Sequence, residues 1–294
     1  MAVPVQQQAW AASLAVAVTV ASGSGCRRAG GPPSGGVQPE LQEPQLREKA
    51  EAFLQDAALP ADLHVWRVGT SVEQGSIAYD VVRGSGPPDR ARAMPGRMYL
   101  RKTDGRVTLF GLEGAESGST GRAVSREEAQ SIAETFVRRH YPELWSRGQV
   151  GLTVRPSPDA RTHTVIAARD ERGFRTPCFG EVYVRAEDGR VVGYVRGAVP
   201  YTIPDTVISR HAAEATAARA AARSFRVRRE RLKVLRANLS FYSRPGRVRT
   251  EPVWSVVLDW QRQEPPGRCH HGAQVAVHAT TGRVLDVTDT ALGD

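Results

Sequence analysis

In this 294-residue chain the residues best suited to chemistry are a thiol and two imidazoles in a row, Cys269-His270-His271. A thiolate and neutral imidazoles suit zinc or copper, and His163 or His278 would complete a ligand set. Neighbouring residues on an extended chain point to opposite faces, however, so one strand rarely aims all three at one ion. The expectation is a surface loop with incidental histidines, and metal binding through Cys269, His270 and His271 is the lesser alternative. Cys178 and Cys269 occupy nearly equivalent places in two sequence repeats, each just before a strand. They can form a disulfide, worth about 2–4 kcal/mol if unstrained, or stay as two free thiols.

Catalytic patterns are missing from the sequence. There is no His-Glu-x-x-His, no Gly-x-Ser-x-Gly elbow, no phosphate-binding Gly-x-x-x-x-Gly-Lys and no Cys-x-x-Cys. Asp and Glu fall on turns and helix starts, where capping and solubility explain them. Trp66, Trp254 and Trp260 sit on strand patterns, as core or sheet-face residues. Asn238-Leu239-Ser240 has the form of a glycosylation sequon but lies inside a strand pattern. The chain is expected not to be an enzyme, with no catalytic residue and no cofactor.

The elements that would carry these residues recur three times. A hydrophobic strand, Gly-Arg-Val and a second short strand appear at Met98–Val107, Val182–Val191 and Val275–Val284. Alternating apolar residues give each copy one buried face, and Asp-Gly or Thr-Gly supplies the positive φ of a tight hairpin turn. The turn glycines, Gly105, Gly189 and Gly282, are 84 and 93 residues apart, a domain-sized period. Upstream of each hairpin the spacing predicts a helix: Gln45 to Leu59, Ser125 to Tyr141 and Ser209 to Phe225. Ser125 caps the second, with Glu127 and Glu128 in its first turn, apolar Ala129, Ile132, Ala133, Phe136 and Val137 at helical spacing, and Pro142 as its stop. Ser209 caps the third, whose small-residue face is Ala212, Ala213, Ala217, Ala220 and Ala221. Two strand runs follow each helix: 63–68 with 77–82, 150–154 with 164–168, and 232–242 with 253–260. The fold class expected is α+β: three tandem small modules at 45–112, 123–198 and 207–290, each one helix packed on an antiparallel sheet.

A helix opening Ser-x-x-x-Ala, the strand Pro252–Asp259 and the hairpin Val275–Val284 together resemble the PepSY family, known from metallopeptidase propeptides and YpeB-type envelope proteins. The match is best in the third module, good from Ser125 to Val195 and degenerate in the first. The resemblance implies a non-catalytic protein that binds or regulates a protein partner, with a peptidase as the partner it suggests. A structural envelope protein without a protease partner is the competing reading.

The N-terminus speaks to location. Ala9–Ser22 is an apolar stretch of signal-peptide length, too short to span a bilayer, and it is followed by Gly23-Ser24-Gly25-Cys26. Small residues before a cysteine resemble a bacterial lipobox, in which the cysteine is lipidated and becomes the first mature residue. That makes Cys26 the anchor, 1–25 a signal peptide and 26–44, rich in Gly, Pro and Gln, a flexible tether. The expected location is the cell envelope, with the chain exported and held to the membrane by lipid; cleavage by an ordinary signal peptidase is the alternative.

The formal net charge is +9. Of the 40 basic residues only Lys49, Lys102 and Lys233 are lysines, a skew that points to coding bias, and no nucleic-acid partner is expected. The densest run, Arg219, Arg223, Arg226, Arg228, Arg229 and Arg231, is expected to be a solvated face. Contact with anionic lipid head groups or polyanionic wall material is the alternative.

Overall fold

The structure, a computed structural model, describes residues 39–57, 59, 62–67, 75–83, 96–112, 123–156, 161–243, 250–260 and 270–292. The predicted signal peptide, Cys26 and Cys269 lie outside them. Among the described residues there are three α-helices, α1 (Glu43–Asp56), α2 (Arg126–His140) and α3 (Arg210–Phe225). None is long and apolar enough to cross a membrane. The strands are β1 (Leu63–Arg67), β2 (Ser76–Arg83), β3 (Gly96–Arg101), β4 (Val107–Leu112), β5 (Gln149–Pro156), β6 (Thr162–Glu171), β7 (Phe174–Arg185), β8 (Val191–Ala198), β9 (Leu232–Ser243), β10 (Thr250–Trp260), β11 (His270–His278) and β12 (Val284–Leu292). The class is α+β, with mostly antiparallel pairing.

Helix starts follow local side-chain chemistry. Ser125 Oγ accepts the Glu128 N–H at 3.1 Å while Glu128 Oε2 accepts the Ser125 N–H at 2.7 Å, a reciprocal capping box. Ser209 Oγ accepts the Ala212 N–H at 3.2 Å. α1 begins at Glu43, earlier than the spacing predicts, because Pro44 sits in its first turn, where a missing N–H costs nothing. In α3 the buried residues are Ala213, Ala217 and Ala221, a single stripe four residues apart, while Ala212 is exposed.

The chain divides into two compact units. The first holds 30–169 with 178–199, which takes in the segment 45–112 and all of 123–198 except 170–177. Their sheets join because β4 pairs antiparallel with β8, Leu109 opposite Val195 and Phe110 opposite Tyr194. One aromatic cluster spans the join. Phe53 of α1 stands edge-on to Phe110 and to Phe136 of α2, each with centroids 5.4 Å apart, and Phe136 meets Tyr194 at 5.4 Å. Burying such a ring is worth about 1.5–3 kcal/mol, so this cluster outweighs any single cap.

The second unit holds 170–177 and 200–294. Here β9, β10, β11 and β12 form an antiparallel meander under α3. Bulk comes from the sheet: Trp260 packs 4.6 Å from Phe225, and Trp254, nearly buried, donates Nε1–H to Ile208 O at 3.1 Å. The small face of α3 lets the helix approach the tryptophan-bearing strand.

A common junction recurs at all three Gly-Arg-Val turns. Gly105, Gly189 and Gly282 have φ of 68°, 73° and 71°, and each donates its N–H to the carbonyl four residues back, Arg101, Arg185 or His278. The residue just ahead of each helix cap, Leu41, Val124 or Ile208, donates to the turn at Lys102, Ala186 or Ala279, at 2.7–2.8 Å. Those three turn residues in turn donate to Gly75, Arg161 and Pro252, each at 2.8 Å. The turn is thereby fastened to both the helix start and the neighbouring strand.

Candidate functional site

The predicted ligand residues do not form one site. His270 and His271 open strand β11, opposite Leu292 and Ala291, and so correct the expectation of a loop; Cys269 lies outside the described residues. His163 Nε2 lies 3.0 Å from the Val124 carbonyl. His278 Nδ1 accepts the N–H groups of Thr280 and Thr281, both at 3.2 Å. Both histidines serve turn junctions. Among the described residues no group of three or more His, Cys, Asp or Glu is placed to hold a metal ion.

Cys178 sits within β7 opposite Ala198, not ahead of the strand as the sequence suggested, because β7 extends back beyond its pairing with β8 to Phe174, which pairs with Leu239 of β9. It is fully buried and disulfide-bonded.

The densest buried chemistry lies in the first unit, at residues no sequence pattern marked. Arg169, 1 % exposed, donates through Nε to Leu144 O at 2.8 Å and through Nη2 to Glu143 O, closing the 3-10 turn Pro142–Trp145. Arg196, also buried, places its guanidinium carbon 3.9 Å over the Tyr141 ring and Nη2 3.7 Å from Glu143 Oε2. Arg106 pairs with the other oxygen of Glu143. Burial raises the Tyr141 and Tyr194 phenols above their usual 10, against the opposing pull of Arg196. Neither phenol ionises near neutrality, so the cluster supplies fixed charge and hydrogen bonds rather than proton transfer.

Where α1 meets α2, His140 stacks 4.4 Å from Phe136 and 4.8 Å from Phe53, with Nε2 3.6 Å from Asp56. Burial depresses its pKa from 6.5 to about 4; the charge of Asp56 opposes the shift and that of Arg139 adds to it. At neutral pH it is an uncharged spacer between two helices.

The outer strands are treated differently in the two units. Among the described residues β1 pairs only with β2, and its Val65 N–H is taken by Glu51 Oε1 of α1 at 3.1 Å, which blunts the edge. Trp66, on the same strand, is 37 % exposed. β12 pairs only with β11 among the described residues, and its Thr288 and Asp289 are exposed.

No protein-family model and no curated protein sequence matches the chain. A solved structure does: the Bacillus megaterium YpeB C-terminal domain, at TM-score 0.50 and 14 % identity, over 86 % of this chain and 99 % of that one. The chain shares its fold. A candidate lipoprotein of Clostridium difficile 630 gives a TM-score of 0.21 at 7 % identity, over 54 % of this chain and 93 % of that one.

Proposed function

We propose that the chain is a non-catalytic envelope lipoprotein built of three PepSY-like modules that bind or regulate a protein partner, with a peptidase the partner the resemblance favours. The observation that carries this reading is the junction repeated at Gly105, Gly189 and Gly282, in a fold shared with the YpeB C-terminal domain. A helix start, a hairpin turn and a neighbouring strand are tied by the same hydrogen bonds in all three copies, as expected of one module used three times. The edge of β12, which has no neighbouring strand beyond β11 among the described residues, is the surface on which an extended partner segment would add a strand, through main-chain hydrogen bonds that need no catalytic group.

Export and lipidation at Cys26 complete the reading. Cys26→Ala would then move the chain from the membrane fraction to the soluble one, and intact mass of the wild type would carry an acyl increment.

A photo-crosslinker at Thr288, placed in the full chain in its native envelope, tests the partner. Capture of a single protein, lost when Asp286 and Asp289 are changed to Lys, supports strand addition. Labelling that does not respond to those changes removes it. A Zn²⁺-dependent hydrolysis lost in His270→Ala/His271→Ala would replace the binding reading with an enzyme.

A further inference from the structure

Among the described residues of the second unit, four arginines face a carboxylate. Arg172 lies 3.4 Å from Asp205, Arg175 3.3 Å from Asp170, Arg210 2.7 Å from Glu214 and Arg283 3.5 Å from Glu251. The segment 219–231 departs from this. Arg219, Arg223, Arg226, Arg228, Arg229 and Arg231 are all exposed, and none faces a carboxylate among the described residues. Their one recorded side-chain bond joins Arg219 Nη2 to Thr216 Oγ1 at 3.1 Å. The only acid in the stretch is Glu230. Coding bias explains many arginines; six within thirteen residues, beside a single acid, is a local concentration.

The placement concentrates the charge. Arg219, Arg223 and Arg226 follow the i, i+4, i+7 spacing of one helical face, and Arg226 ends α3 in the left-handed region at φ 55°. The 3-10 turn Arg229–Arg231 follows at once. At about 1.5 Å per residue, Arg219 and Arg223 are roughly 6 Å apart along the axis and Arg223 and Arg226 roughly 5 Å, each within the Debye length of about 8 Å at physiological salt, so neighbouring fields add. The negative end of the helix dipole accounts for a cation or two in the last turn, not for six arginines.

We propose that this segment is an electrostatic docking surface for an anionic phospholipid bilayer. The choice of a bilayer rests on the envelope-lipoprotein reading, since a lipid-held chain presents the surface to head groups at high local concentration. Guanidinium forks match phosphate oxygens bidentately, and each exposed arginine near an anionic leaflet adds to the attraction. The contact is superficial and salt-sensitive, because its charges stand in solvent.

The full chain carrying Cys26→Ser, free of any acyl group, is mixed with vesicles of phosphatidylcholine alone or with about 30 % phosphatidylglycerol, a proportion that makes the surface strongly anionic. The expected result is at least about tenfold higher partition onto the anionic vesicles, collapsing at about 0.5 M salt. Arg223→Gln/Arg228→Gln/Arg229→Gln should lose about tenfold, the matching Lys variant should keep most of the binding, and circular dichroism should show all three chains equally folded. Equal partition onto neutral and anionic vesicles, an unaffected Gln variant, or binding to soluble polyphosphate without binding to vesicles would each overturn the proposal. Failure of the anchor is read separately, from the fractionation of the native chain.

Discussion

The turns of the first unit and the turn of the second reach one backbone geometry by different side-chain chemistry. In the first unit Asp104 and Asp188 each pair with the arginine three residues back, and each accepts a backbone N–H, from Arg106 or Arg190, at 3.1–3.2 Å. Partial burial raises both carboxyls, yet the arginine partners and backbone donors outweigh it and hold them below the usual carboxylate value. In the second unit Thr281 stands in place of the aspartate and its Oγ1 accepts the Arg283 N–H at 3.4 Å, while the His278 imidazole, where the first unit has an arginine, accepts the N–H groups of Thr280 and Thr281. What the three turns share is the positive-φ glycine and the backbone bonds to the helix start. The side-chain solution is interchangeable wherever it satisfies the same donors.

The helices repeat this lesson at larger scale. α1 and α2 bury phenylalanines against the sheet, whereas the buried residues of α3 are alanines and only Phe225 at its end meets a tryptophan of the sheet, Trp260. The largest test is therefore a swap of bulk. Phe136→Ala should cost about 3–5 kcal/mol, and Ala217→Leu, which overfills a fully buried site, about 1–3 kcal/mol. Hydrogen exchange should report each loss in the helix carrying the substitution. An Ala217→Leu chain as stable as the wild type would show that α3 is not held close to its strands.

A smaller effect separates the turns. An added Cβ at Gly189 would stand 3.0 Å from Ile132 Cδ1 and 3.3 Å from Val124 Cγ2, while at Gly282 the nearest atom is 3.6 Å away. Both substitutions meet positive φ, so Gly282→Ala should cost about 1 kcal/mol and Gly189→Ala somewhat more, read as denaturation midpoints. Equal midpoints would mean that backbone strain alone governs the turns.

The smallest effect is acid sensitivity confined to the first unit. The folded pKa of His140 is about 4 against an ordinary 6.5, so the unfolded chain takes the proton first. Its contribution is fully present above pH 6.5 and is lost as pH falls toward 4. Partial exposure and screening reduce this to about 1 kcal/mol. The depressed Asp104 and Asp188 carboxyls lose their contribution in the same direction, at lower pH. Amides of α2 should lose protection between pH 6.5 and 4 while those of α3 hold, and His140→Gln should remove the difference.

Local rules carried much of the fold in the sequence itself. Ser125 and Ser209 were legible as caps, and Gly105, Gly189 and Gly282 as turn residues, because each acts on backbone a few positions away. Alternation marked the strands that hold Trp254 and Trp260, and the arginine run at 219–231 was visible as a run. The pairing of β4 with β8 was not legible, since two alternating strands advertise a buried face without naming the neighbour at their edge. Arg169 and Arg196 were hidden for a related reason: burial of a guanidinium depends on carbonyls, a ring and a carboxylate brought in from 25 or more residues away. The same holds for the exposed arginines of α3 and the turn after it. Composition determined that the charge exists, but only tertiary packing decided which arginines meet a carboxylate, because an ion pair is fixed by distance in space and not by spacing along the chain.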